Sequence, residues 1–127
     1  MAQRLRVLLV EDSKVLTERL TEAIRQISDV DLVGTADSEA GALAAVKRDA
    51  VDVIILDLHL KQGTGFGVLR ATADLPRRAV TVVLTNFALS EYQREASALG
   101  VRYFLDKARE FERIAEVLRE VAEAAAA

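Results

Sequence analysis

Short apolar segments alternate with longer amphipathic segments along the whole chain. Five segments rich in β-branched residues are predicted to be strands: Leu5–Val10, Asp31–Ala36, Val53–Leu56, Val80–Leu84 and Val101–Leu105. The first, third and fourth are almost continuously apolar, which is typical of strands that are covered on both faces. Between the strands, apolar positions recur at helical spacing. This β–α alternation predicts a five-stranded parallel sheet with helices on both faces.

Capping signals mark the ends of several predicted helices. Ser38 is a candidate N-cap for the alanine-rich second helix. The segment Ser90–Gln93 matches the S-x-x-Q capping box, and Gly100 follows where the fourth helix should end. The dipeptide Leu75-Pro76 breaks the chain before the fourth strand, and a fifth helix is predicted from about Ala108.

Composition narrows the possible chemistry. The chain has 127 residues, enough for one domain, and a formal net charge of −3, which argues against nucleic-acid binding through bulk positive charge. It has no cysteine and one histidine, His59, so thiolate sites and sites that need two imidazoles are excluded. No apolar run is long enough to cross a membrane, and no signal peptide is recognisable. We therefore expect a cytoplasmic protein whose chemistry relies on carboxylates, hydroxyls and amines.

Polar residues follow four of the predicted strands. They are Glu11 and Asp12 after the first strand, Asp57 after the third, Thr85 and Asn86 after the fourth, and Lys107 after the fifth. Taken singly, each has an ordinary structural explanation, such as a helix cap, a turn residue, a β-forming threonine or a surface lysine. Ligand crevices of open α/β sheets lie at the carboxyl ends of the strands, so this set together predicts a functional site there.

The chain resembles the response-regulator receiver domain, the phosphoacceptor module of two-component signalling, from about Leu5 to Val121. The motifs that carry the resemblance are Leu8–Ser13, Asp52–Leu58, Gly65, Leu84-Thr85 and Phe104–Lys107. The resemblance implies the flavodoxin-like α/β receiver fold, with a parallel sheet in the order 2-1-3-4-5. It also implies that residues 1–127 are one receiver domain that leaves no room for an output domain, so that output is expected to pass through a partner or through a portion outside this sequence.

The resemblance implies roles for the acidic residues. Asp57 corresponds to the carboxylate that takes a phosphoryl group from a phosphohistidine. Glu11 and Asp12 correspond to the acid pair that holds Mg²⁺, together with Asp57 and the backbone carbonyl of His59. A hard divalent cation relieves the repulsion among such carboxylates and neutralises charge on a phosphoryl group in transfer.

The resemblance also implies a switch. Thr85 corresponds to the hydroxyl that binds a phosphoryl oxygen, and Lys107 to the ammonium that pairs with it. Phe104 corresponds to the aromatic residue that rotates when the threonine moves inward. A threonine and an aromatic ring that exchange space form the bistable element that a switch requires.

The chain departs from the family in several places, of which Lys61, where a proline is common, matters least. Ala108 stands where a proline usually follows the lysine, so we predict a trans peptide bond between Lys107 and Ala108 and a reshaped loop. Asn86 and Phe87 follow the threonine, and His59 lies two positions after the phosphoacceptor. We expect His59, Phe87 and Asn86 to shield the acyl phosphate from water and to set its lifetime.

The implied partners are proteins. They are a sensor histidine kinase or phosphotransfer protein, and a downstream effector bound by the surface of the fourth helix, fifth strand and fifth helix. Dimerisation through that surface is left open, and neither nucleic acid nor membrane is expected as a direct partner. Three alternatives remain: a phosphorylation-independent binding module, an aspartyl-phosphate phosphatase, and an FMN protein of the same fold. His59 disfavours the phosphatase, because such enzymes usually have a second acid at that position, and Glu11-Asp12 would repel the FMN phosphate.

Overall fold

The computed structural model describes residues 4–75 and 79–126 and contains the predicted sheet. All strand pairs are parallel and the order is β2-β1-β3-β4-β5, which confirms the predicted fold class. The strands are β1 Leu5–Val10, β2 Val30–Ala36, β3 Val53–Leu56, β4 Val80–Thr85 and β5 Tyr103–Asp106. They agree with the sequence prediction to within two residues at every end.

In the described part of the chain, four helices connect consecutive strands, two more follow β5, and together the helices cover both faces of the sheet. They are α1 Lys14–Arg25, α2 Glu39–Arg48, α3 Gly65–Ala73, α4 Ser90–Ala98, α5 Lys107–Glu110 and α6 Arg113–Ala126. Three N-caps are hydroxyl side chains that accept a backbone N–H from the first turn: Ser13, Ser38 and Thr64. The predicted cap at Ser38 is therefore confirmed, whereas Pro76, in the predicted break, lies outside the described residues.

The fourth helix ends in a Schellman motif, which explains why β5 begins two residues later than predicted. Gly100 has φ +93° and donates its N–H to Ser97 at 3.0 Å, while the Val101 N–H bonds to the Ala96 carbonyl at 3.0 Å. Since Val101 closes the helix, its N–H is not available to the sheet, and strand pairing starts at Tyr103.

Two predictions about helices are wrong in detail. Ser90 is the first residue of α4 and not its N-cap; the N-cap is Leu89, which has an extended backbone and no capping side chain. The predicted fifth helix is divided, because Phe111 and Glu112 interrupt it between the short α5 and the longer α6. The second piece carries the buried apolar side of the predicted helix.

The sheet separates two apolar clusters. Successive residues of a strand point to opposite faces, so Leu9 lies in the cluster with α1 and α6, and Leu8 lies in the cluster with α2, α3 and α4. Both leucines are almost completely buried. With helices on each face, the loops at the carboxyl ends of the strands are the places where polar groups can gather.

Candidate functional site

The register of the central strands brings the acidic residues together. Val10 pairs with Leu56, so Glu11 and Asp57 leave the sheet side by side, and the Asp57 N–H donates to the Val10 carbonyl at 2.9 Å. Glu11 and Asp57 are 4% and 5% exposed. Carboxylates are rarely buried to this extent without a compensating partner.

Lys107 supplies that partner. Its Nζ lies 2.6 Å from Glu11 Oε1 and 2.9 Å from Asp57 Oδ2, so one ammonium bridges both carboxylates. The residue reaches this position because β5 pairs with β4 through Thr85 and Asp106, which brings Lys107 to the same edge of the sheet. The structure thus brings together the acid and the amine that the sequence predicted from strands far apart along the chain.

The ionisation of the bridge follows from its burial. Desolvation raises the pKa of Glu11 above its ordinary value, against the opposing effect of the hydrogen bonds from Lys107 and Ser13. Burial acts to lower the pKa of Lys107, but the hydrogen bonds to Glu11 and Asp57 outweigh it, and the net pKa is raised. Lys107 is therefore a permanent cation at neutral pH.

Asp12 completes an acidic group that fits a divalent cation. Carboxylate oxygens of Glu11, Asp12 and Asp57 all lie within 4.8 Å of one another. Oxygen ligands at this spacing suit Mg²⁺ or a similar hard cation. The single positive charge of Lys107 neutralises only part of the negative charge of the three carboxylates, which leaves a net charge that a cation would balance. A cleft of about 370 Å³ opens beside Glu11 and Asp12, with Lys14 and Lys61 among its lining residues, and gives access from solvent.

Thr85 lies at the end of β4 and is completely buried. Its Oγ1 accepts the Phe87 N–H at 3.1 Å, which ties the hydroxyl to the loop before α4. Asn86 is exposed and lines a second cleft together with Lys107 and Ala108. The position of the Thr85 hydroxyl is therefore linked to the backbone of Phe87 in the loop that follows.

The rings of His59 and Phe87 are in contact beside the acidic group. Their centroids are 4.1 Å apart with an edge-on angle of 61°. Phe87 is 46% exposed. The backbone N–H of His59 donates to Asp57 Oδ1 at 3.2 Å. The pair therefore lies at the surface, next to the loop that carries Asp57.

Gly65 approaches the Asp57 backbone so closely that no side chain fits. A Cβ at this position would overlap the Asp57 carbonyl oxygen and would lie 2.7 Å from Leu58 Cα. The Gly65 N–H donates to the Leu58 carbonyl at 3.0 Å. This contact explains physically why a glycine stands at the start of α3.

The loop that carries Lys107 is fixed by a reciprocal cap. Asp106 Oδ1 accepts the Ala108 N–H at 2.8 Å, and Glu110 Oε1 accepts the Asp106 N–H at 3.1 Å. The hydrogen bond from the Asp106 N–H lowers the pKa of Glu110. Arg113, whose Nη1 lies 2.7 Å from Glu110 Oε2, acts in the same direction. The peptide bond between Lys107 and Ala108 is trans, as predicted. Sequence reasoning missed the role of Glu110, because it lies four residues after Asp106 and not three, as the capping box requires.

Phe104 lies on β5 opposite Val83 and packs, half-buried, against the cluster that contains α4. Tyr92 of α4 belongs to the same environment and contacts Phe66 of α3, with ring centroids 5.7 Å apart. Arg70 pairs with Glu95 at 2.7 Å across the same two helices. The aromatic residue predicted to rotate is therefore adjacent to α4.

Comparisons with known proteins place this arrangement in a family. The family model for the response regulator receiver domain matches residues 7–119. The chain belongs to this family. The sensory transduction protein LytT of Enterococcus faecalis is 29% identical over 112 residues, which are 88% of this chain and 46% of LytT. This receiver domain spans less than half the length of the curated relatives it matches.

Solved structures support the fold of this receiver domain. The signal receiver domain of the response regulator NarL from Mycobacterium tuberculosis superposes with a TM-score of 0.86 at 23% identity, covering 95% of this chain and 98% of that one. The Mn²⁺-bound form of the response regulator Rcp1 superposes with a TM-score of 0.76 at 25% identity, covering 91% and 90%. Within residues 4–75 and 79–126, no helix is long and apolar enough to span a membrane.

Proposed function

We propose that Asp57 accepts a phosphoryl group from a phosphohistidine of a sensor histidine kinase or phosphotransfer protein. A carboxylate oxygen of Asp57 forms the new P–O bond while the P–N bond breaks, and the departing imidazole takes up a proton. The observation that carries the proposal is the contact of Lys107 Nζ with Asp57 Oδ2 at 2.9 Å inside a buried acidic group. The ammonium is already placed to pair with the negative charge of the incoming phosphoryl oxygens.

The three carboxylates would hold a Mg²⁺ ion. Glu11, Asp12 and Asp57 supply oxygen ligands, and the backbone carbonyl of His59 is the proposed fourth protein ligand. When bound, the ion neutralises charge on the phosphoryl oxygens and on the acid pair. The Mn²⁺-bound form of the relative Rcp1 supports a divalent cation in this family.

Phosphorylation would then act through Thr85. Its hydroxyl can donate to a phosphoryl oxygen while it still accepts the Phe87 N–H. Movement of Thr85 toward the phosphoryl group therefore pulls the loop before α4. The space that the threonine leaves would admit the ring of Phe104, and the two side chains would switch together.

The aromatic pair next to the site would set the phosphoryl lifetime. Hydrolysis requires water to approach the phosphorus from the side opposite the Asp57 oxygen. The contact of His59 with Phe87 lies beside the Asp57 loop, and Asn86 is exposed in the loop before α4; in this proposal the three side chains would restrict the approach of water. We infer that these residues slow hydrolysis of the acyl phosphate.

The switch would be read by partner proteins. We propose that residues of about 5–121 form the receiver unit, and that α4, β5 and α6 present the surface that a downstream effector, or a second copy of the chain, recognises. No direct contact with nucleic acid or membrane is part of this proposal. The chain would catalyse only its own phosphorylation and dephosphorylation, in the cytoplasm where its phosphodonor acts.

Phosphoryl labelling tests the proposal. The protein is incubated with a small phosphodonor such as phosphoramidate, with Mg²⁺ or with EDTA, and intact mass spectrometry detects addition of one phosphoryl group. We expect Mg²⁺-dependent labelling that Asp57→Asn abolishes. Asp31→Asn, which alters a surface carboxylate paired with Arg4, serves as the matched control and should be labelled normally.

Other results would contradict the proposal. Labelling of Asp57→Asn at the normal rate would show that a different residue accepts the phosphoryl group. Absence of labelling in the original protein would favour the phosphorylation-independent binding module. Repeated turnover of a phosphate ester would favour the phosphatase.

A further inference from the structure

Helix α3 begins with half of a capping box. Thr64 is its N-cap, and Thr64 Oγ1 accepts the N–H of Gly67, the third residue of the helix, at 3.0 Å. In a complete capping box the side chain of that third residue would reach back to the N-cap N–H. Gly67 has no side chain, so α3 cannot complete the box by itself.

The missing half comes from another helix. Glu39, the first residue of α2, places its Oε1 3.1 Å from the Thr64 nitrogen and accepts that N–H. A Cβ added to Gly67 would overlap the Glu39 carboxylate, with Oε2 only 2.8 Å away. The carboxylate of Glu39 therefore occupies the space that a glutamate side chain at position 67 would fill.

The glycine-rich segment 63–67 is shaped around this carboxylate. Gly63, at φ +76°, also leaves no room for a Cβ beside Glu39. The Glu39 N–H donates to the Gln62 carbonyl at 3.0 Å, so backbone and side chain of one residue both hold the segment. The segment does not match a phosphate-binding motif. Its glycines at positions 63 and 67 instead leave room for the Glu39 side chain.

The clamped segment leads directly to Asp57. Thr64 pairs with His59 in an isolated antiparallel bridge. The His59 N–H in turn donates to Asp57 Oδ1 at 3.2 Å. A hydrogen bond to Thr64 therefore restricts the backbone of His59, which is the residue proposed to offer its carbonyl to the cation.

We propose that Glu39 is a positioning residue for the cation site: by completing the capping box of α3 from α2, it fixes the loop 59–64 and with it His59 and the Asp57 carboxylate. This inference rests on the proposed function, because it assumes that Asp57 and His59 bind a divalent cation. Groups that orient a metal ligand typically change metal affinity when they are removed. Glu39 acts through the Thr64 N–H and does not touch the cation.

Two measurements on the full chain test the proposal. Amide hydrogen exchange by NMR reports the Thr64 N–H, and an NMR titration with MgCl₂ that follows the Asp57 and His59 amides reports the affinity. Glu39→Ala should speed exchange at Thr64 about tenfold and weaken Mg²⁺ binding by about the same factor. Glu39→Gln, which keeps an acceptor oxygen, should restore both values. Glu91→Ala, an exposed glutamate in the first turn of α4, is the matched control.

The position of Gly67 allows a sharper test. Gly67→Ala should displace the carboxylate and reproduce both effects of Glu39→Ala, and combining the two substitutions should add nothing further. In Glu39→Ala/Gly67→Glu the acceptor returns from within α3, so Thr64 protection and Mg²⁺ affinity should both recover.

The outcomes separate this inference from the proposed function. If Glu39→Ala exposes Thr64 but leaves Mg²⁺ affinity unchanged, or if the double variant restores Thr64 without the affinity, the positioning role is wrong. If Thr64 exchange does not respond to Glu39→Ala, the shared capping box is wrong. If the original protein binds no Mg²⁺, the proposed function fails, and the exchange data still report on the capping box.

Discussion

Replacing Lys107 by methionine is the most informative single change at this site. The substitution keeps an unbranched side chain of similar length and removes the ammonium that bridges Glu11 and Asp57. Both carboxylates remain buried, since Glu11 is 4% and Asp57 is 5% exposed. The variant therefore measures how much the buried carboxylates lower the free energy of unfolding when no ammonium compensates their charge.

The expected destabilisation follows from the loss of the ammonium that compensates both carboxylates. Removing one partner of a buried ion pair typically costs about 3–5 kcal/mol, because the other charge is left buried and uncompensated. The loss is a large part of the stability of a domain, which is about 5–15 kcal/mol.

The loss should depend on pH. Burial raises the pKa of Glu11, and Lys107→Met removes the hydrogen bond that opposes this rise. An acid whose folded-state pKa is raised destabilises the fold above that pKa, and the penalty fades as pH falls toward the ordinary value of 4.5. The difference in unfolding free energy between the variant and the original protein should therefore be largest at neutral pH and shrink as the solution becomes acidic. Added Mg²⁺ should also reduce it, because carboxylates that have lost the competing ammonium of Lys107 should bind the cation more tightly, and binding stabilises the folded state.

Urea denaturation followed by circular dichroism measures this difference. With an m-value of about 2 kcal/mol/M, a loss of about 4 kcal/mol lowers the midpoint by about 2 M. Lys47→Met, at an exposed position of α2, is the control and should change stability by less than about 0.5 kcal/mol. A loss below about 1 kcal/mol at neutral pH, or one that is the same at pH 5, would refute the electrostatic reasoning.

Three further outcomes follow from the same loops. Thr85→Val leaves the Phe87 N–H without its acceptor and should cost about 1–3 kcal/mol in urea denaturation, whereas Thr85→Ser should retain most of the stability. Ala108→Pro removes the N–H that Asp106 accepts and should lower the melting temperature by a few degrees, and an unchanged value would show that this hydrogen bond contributes little to stability. Phe87→Ala should speed loss of the phosphoryl group severalfold after labelling, and an unaltered rate would remove Phe87 from the shield.

Much of the fold could be predicted because its signals are local. A buried parallel strand must be apolar on both faces, so a run such as Val53–Leu56 can be recognised without knowledge of its neighbours. The parallel topology then fixes which strand ends meet. That is why Glu11, Asp57 and Lys107 could be expected at one place, although 96 positions separate the first from the last.

What the sequence did not reveal depends on contacts between distant segments. The bond from Thr64 to Glu39 joins two helices, and neither helix contains a pattern that announces it. The capping box at Ser90 matched a local rule, but the extended backbone at Leu89 moves the helix start by one residue. The interruption at Phe111 is similar: the apolar spacing continues through it, and periodicity does not detect a break of two residues in the helix.

The two apolar clusters lie on opposite faces of the sheet, so substitutions in one cluster can be made largely independently of substitutions in the other. Leu118 of α6 belongs to one cluster, and Phe104 packs against the other. Substitutions on opposite sides of a sheet share few neighbours, so their effects should add. Libraries randomised around Leu118 and around Phe104 could therefore be screened separately for stability, and the best members of each combined in one chain.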